Sequence, residues 1–189
     1  MTDDTHLAPL LGFGLILQAI PALVGAAVIT FSSDHSPLVG LVVFAGASFL
    51  MAGGQLMSAV SVSAWSRARS ALGVQAISSI VTAGIAVAFL GGERVSLTLC
   101  VSIWAAAVAL TSGLAGWFIT DRSVAREFLV ITGLAGLLAI VEAALPLDDV
   151  YAVGLLGAFF AVFGVFTVIA GVSIRSSSRR TAHIEEKKI

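Results

Sequence analysis

The sequence predicts an all-α integral membrane protein of six transmembrane helices, arranged as three hairpin repeats with both termini cytoplasmic. Three observations lead there. Of 189 residues, 58% are hydrophobic and 11% charged, against about 25% charged in soluble domains, and mean hydropathy is +1.05. Six apolar runs, at 10–31, 38–61, 71–90, 97–119, 128–145 and 151–174, each approach the roughly 20 residues a helix needs to cross a hydrocarbon core. Basic residues gather in alternate connections.

The elements follow in chain order. Residues 1–9 are acidic and lack the basic stretch of a cleavable signal, so the first helix is expected to be permanent. Pro21 interrupts the hydrogen-bond ladder of that helix. Short turns at 32–37, 91–96 and 146–150 close helices one, three and five, and each carries acid: Asp34, Glu93, then Asp148 and Asp149. The connections at 62–70 and 120–127 and the tail at 175–189 hold Arg67, Arg69, Arg122, Arg126, Arg175, Arg179, Arg180, Lys187 and Lys188. Of the ten basic residues only Arg94 falls on the other side, and basic connections stay in the cytoplasm. Trp65, Trp117 and Tyr151 fall at expected boundaries, where amphipathic rings prefer the headgroups, and Trp104 falls deeper. The tail is expected to be polar and disordered. Alternating polarity, the mark of a membrane β-barrel, does not occur, and backbone groups in lipid are then satisfied by helices.

The stretch 126–180 is the clearest hairpin and the unit on which the rest is patterned. In the second helix of each hairpin, small residues recur seven apart: Gly46 and Gly53, Ala106 and Gly113, then Gly157, Gly164 and Gly171. Seven residues are nearly two turns, so each set forms a stripe. Lipid gives little drive for helix association beyond close approach at such residues. These stripes are therefore the expected helix-packing surfaces of helices two, four and six.

Residues 133–140 (GLAGLLAI), Pro146 and residues 155–164 (LLGAFFAVFG) resemble the short membrane repeat of the HdeD family. Trp104 and Gly113 carry the likeness into the second hairpin. The resemblance implies a small six-helix protein of a bacterial inner membrane, non-enzymatic, acting in envelope or acid stress through packing or partner binding. A second likeness lies in residues 6–12, HLAPLLG, whose Ala-Pro-Leu is shared with small six-helix acetate and succinate uptake proteins. Their preceding Asn-Pro is missing here. It implies the alternative function, a small permease or channel for protons or a weak acid such as acetate.

Candidate chemistry is sparse. Glu142 is the one ionisable residue inside an expected span, and intramembrane acids are costly and functional by default. It is the candidate proton-responsive group, although it lies about one turn from the outer boundary. Gln18, Gln55 and Gln75 sit in the half nearer the cytoplasm, as a shared polar pocket or as interhelical hydrogen-bond partners. His35 and the acidic turns are expected to be solvated. His6 and His183 lie in polar termini. Cys100, the single cysteine, reads as a small buried hydrophobe. Neither metal-ligand spacing nor a phosphate loop nor a nucleophile constellation occurs, so no catalytic, metal or cofactor residue is assigned. A net charge of −1 offers nothing to nucleic acid. The expected partners are the lipid bilayer, a second copy, or another membrane protein.

Overall fold

The computed structural model describes residues 8–62, 66–91, 94–145 and 148–186, with side chains over 10–62, 66–91, 95–145 and 148–176. It is all helical: α1 (Ala8–Phe31), α2 (Pro37–Val60), α3 (Arg67–Ala88), α4 (Arg94–Phe118), α5 (Arg122–Ala144) and α6 (Asp149–Glu186). All six contain stretches long and apolar enough to cross a membrane. The chain is a multi-pass membrane protein.

Several helices begin before their apolar runs, for a local reason. The Ser66 hydroxyl accepts the backbone N–H of Arg69 at 3.1 Å, which starts α3 at Arg67 rather than 71. Asp121 accepts from the backbone N–H groups of Ser123 and Val124 at 2.8 and 3.4 Å, and from the Ser123 hydroxyl at 2.7 Å. This cap starts α5 at Arg122 rather than 128. The Ser123 hydroxyl holds the Asp121 carboxyl below the usual carboxylate range, with help from the Ser123 and Val124 amides. A depressed native pKa means that the cap stabilises above the ordinary aspartate pKa and is lost as pH falls through the native value. At the far end, the tail is not disordered over its first part: α6 runs on past Ile174 to Glu186. A helix already nucleated by its span extends cheaply, and Arg, Ala and Glu favour the extension.

Successive helices run antiparallel, which collects the starts of α1, α3 and α5 and the ends of α2, α4 and α6 at one basic end. There the Arg67 guanidinium lies over the Phe118 ring, 5.5 Å from its centroid. At the other end Asp148 caps α6 by accepting the Tyr151 amide at 2.9 Å. Trp117 and Tyr151 are exposed at opposite ends. Trp65, Glu93, Pro146, Lys187 and Lys188 lie outside the described residues.

Around the bundle the strongly packed neighbours are α5·α4, α4·α3, α3·α2, α2·α1 and α1·α6. Contacts among α2, α4 and α6 place these three on the inside, while α5 and α6 touch only lightly. The hairpin read as the organising unit therefore does not close on itself. Its first helix belongs to α4 and its second to α1.

The glycines explain that choice. A Cβ on Gly157 would stand 2.7 Å from Ile29, on Gly164 2.6 Å from Leu23, and on Gly171 2.7 Å from Ile16. The α6 row is thus filled along its length by α1, and Gly12 makes the reciprocal approach to Gly171. Gly113 meets Thr132 of α5 at ordinary contact distance, 3.4 Å. Gly46 and Gly53 are the correction. Nothing lies within 4 Å of a Cβ at either position, and both are exposed on the outer face of α2. The tight contacts of α2 use Gly40, against Leu97 and Val153, and Gly54, against Gly14 and Gln18.

Gly164→Leu is expected to cost about 1–3 kcal/mol by overpacking and to lower the melting temperature in detergent, whereas Gly53→Leu leaves it unchanged. Equal effects of the two would contradict the α1·α6 assignment.

Candidate functional site

Two polar features, a layer near the basic end and Glu142 of α5, are buried inside the bundle together with an aromatic plug. The plug centres on Trp104 of α4, which is fully buried. Its ring stands edge-on to Phe44 of α2 at 5.6 Å, and to Phe159 and Phe160 of α6 at 6.0 and 6.2 Å. Phe163 stacks on Phe159 at 5.5 Å. The indole N–H donates to the Ser79 hydroxyl of α3 at 3.0 Å, so one side chain holds four helices. Edge-on aromatic pairs contribute about 0.5–1.5 kcal/mol each beyond area burial.

On the basic side of the plug lies a polar layer. The Gln18 amide donates to the Gly14 carbonyl at 3.3 Å and to the Ser58 hydroxyl at 3.4 Å, tying α1 to α2. The Ser112 hydroxyl donates to Gln75 Oε1 at 3.4 Å, tying α4 to α3. Gln55 is 1% exposed, and both its amide atoms lack hydrogen-bond partners among the described residues. Gly46 and Phe49 border one groove with Gly84 and Ile80, and that antiparallel register, continued, sets Gln55 level with Gln75. Between the Gly164·Leu23 and Gly171·Gly12 contacts, Thr167 stands level with Gln18, its hydroxyl donating to the Phe163 carbonyl at 2.8 Å. Five helices thus contribute a buried polar side chain at one depth.

Glu142 stands apart, near the other end of α5. Its residue is 3% exposed and neither carboxyl oxygen has a hydrogen-bond partner among the described residues. It closes the single inward stripe of α5, Val124, Phe128, Ile131, Ala135, Leu138 and Glu142. The side chain is therefore turned into the bundle, not up to the headgroups. On the facing helix, the Ser102 hydroxyl is likewise buried and unpartnered.

The structure separates the residues that the sequence singles out. Gln18, Gln55 and Gln75 share a layer, and Glu142 is not part of it. The Asp34 carboxylate is occupied by the Ser36 amide and hydroxyl at 2.9 and 3.1 Å, in a turn. Cys100 is a buried free thiol. The side chains of His6 and His183 lie outside the described residues. Pro21 lines an apolar groove of about 420 Å³ between α1 and α2, with Gly25 and Gly46 in its walls. That groove faces outward. Among the described residues no group of three or more His, Cys, Asp or Glu could hold a metal. Reading the sequence missed Ser58, Ser79, Ser112 and Thr167. Their signal was spacing, since Gln55–Ser58 and Gln75–Ser79 each share a helix face at three or four residues.

No family model matches this chain, and neither a curated protein nor a solved structure matches it.

Trp104→Phe keeps an aromatic ring but strands the Ser79 hydroxyl, at an expected cost of about 1–3 kcal/mol, and Trp104→Ala is expected to cost about 3–5 kcal/mol. Thermal unfolding in detergent reads both, and a Trp104→Ala protein that melts like the parent would remove Trp104 from the centre of the bundle.

Proposed function

We propose that this chain is a non-enzymatic polytopic protein of the HdeD-like kind, in a bacterial inner membrane. It acts in envelope or acid stress by packing against lipid and membrane partners rather than by moving a solute. The observation that carries this reading is the aromatic plug. Phe44, Trp104, Phe159, Phe160 and Phe163 fill the space between α2, α4 and α6, the place where a transport path would run. The polar layer lies on the basic side of it, and Glu142 of α5 stands apart from that layer, so the buried polar groups do not converge on one site.

Two further features support the architecture within this reading. Phe44 and Trp104 each stand two residues before the first small residue of their stripe, Gly46 and Ala106. In two of the three hairpins the stripe meets the first helix of another: Gly113 meets α5 and the α6 glycines meet α1, whereas Gly46 and Gly53 face outward. Those two contacts support a reading of the chain as repeated hairpins. The basic end, with the arginines of α3, α5 and α6, is assigned to the cytoplasm on its charge. A single cysteine at Ser176 in a Cys100→Ser background is then expected to react with an impermeant maleimide only after the membrane is opened. Labelling of intact cells would invert the topology.

The Glu142 carboxyl, without a hydrogen-bond partner among the described residues, favours a second reading, a small permease or channel for protons or a weak acid, because such an intramembrane acid is where that protein would carry a proton. Flux decides between them. Proteoliposomes holding an internal pH dye are given an acid gradient, with and without acetate. The expected result is acidification equal to that of empty vesicles, unchanged by Glu142→Gln. Faster acidification, slowed by Glu142→Gln, would establish the permease instead.

A further inference from the structure

The chain has three glutamines and no asparagine, and all three glutamines are buried at one depth near the basic end. Two are engaged across helix pairs, Gln18 with Ser58 and Gln75 with Ser112. Gln55, between them on α2, leaves a donor and an acceptor without partners among the described residues, although it is 1% exposed. A carboxamide in a low-dielectric interior costs free energy unless it is paired. We infer that this layer is a binding site for an ordered water molecule held by the Gln55 carboxamide.

The donor and acceptor count fits. Water accepts from Gln55 Nε2 and donates to Gln55 Oε1 or to a neighbouring hydroxyl. The hydroxyls of Ser58, Ser112 and Thr167 already spend their protons on Gly54 O, Gln75 Oε1 and Phe163 O, so each retains lone pairs for such a donor. Two to four polar partners are what a buried water requires. Other guests fit poorly. Among the described residues the layer contains no charged side chain, so an ion stripped of its hydration would find no counter-charge. An apolar guest would leave the amide unpaired. The site is independent of whether the protein moves a solute, because the Trp104 cluster lies to one side of it.

The test is water-edited solid-state NMR on the full chain in lipid bilayers, labelled with 15N only at glutamine side chains, which gives three amide signals. The Gln55 signal is assigned by its loss in Gln55→Met, with tryptophan fluorescence checking that the variant keeps its fold. Magnetisation from water is expected to reach Gln55 Nε2 at shorter mixing times than the Gln18 and Gln75 amides, whose partners are protein groups. Arrival only at the long times typical of lipid-buried groups would overturn the proposal. Melting in detergent gives an independent reading. If Gln55 binds water, Gln55→Met melts lower than the parent because the hydroxyls around it lose their bridging partner. If Gln55 is simply an orphaned amide, the apolar replacement relieves its burial and melts higher, and the site does not exist.

Discussion

Helices in a bilayer gain little by leaving lipid for one another, so a bundle depends on contacts that lipid cannot imitate. In this protein the contact on which the others depend is Trp104. Its indole meets rings from α2 and α6 edge-on and hands its one proton to α3. Acyl chains offer neither edge-on quadrupoles nor hydrogen-bond acceptors. The three inner helices are fixed about this point, and α1 and α3 are then fixed by the grooves that the inner helices leave. The glycines of α6 act by a different means. They remove side-chain bulk so that α1 approaches closely along about four turns, from Gly171 to Gly157.

Polarity is distributed by the same logic. Charged groups stand at the helix ends, where caps such as Asp121 and Ser66 use them or their neighbours. Hydroxyls within the spans mostly donate to carbonyls three or four residues back, as Thr82, Thr111 and Thr167 do, which hides them inside their own helix. Between helices, among the described residues, Trp104, Gln18, Gln75 and a few serines make the bonds. Glu142 follows none of these patterns. That makes it the costliest group in the bundle and the one whose presence calls most for a reason outside folding.

The spans were legible because hydropathy records what the hydrocarbon accepts. Helix ends were not, because a cap is a hydrogen bond rather than a hydropathy: Ser66 and Asp121 extend α3 and α5 into polar sequence. The stripe Gly157, Gly164 and Gly171 was legible as a surface, yet its spacing says nothing about which helix fills it. The adjacent α5 is the natural guess, and α1 is the occupant. Gly46 and Gly53 have the same spacing and face outward, since a heptad of small residues permits close approach without requiring it. Glu142 was visible as an acid in a span, but its distance from the boundary suggested headgroups. The inward stripe it ends, with Leu138 and Ala135 below it, was the better guide to its direction. The glutamines stood out as polar residues, while the serines that answer them on facing helices needed the register between helices, which no single helix encodes.

The pairing of α1 with α6 has a consequence for how the chain is made. Spans leave the ribosome in order, and α2 reaches α1 early, but the α1 face that includes Gly12 and Leu23 waits for α6. Until then it is covered by lipid or by whatever chaperone attends the membrane. Closure of the bundle is thus a late, long-range event. The assembly intermediate is an open crescent of helices, its unfilled edge displaying the same narrow glycine-lined surface that the finished protein conceals.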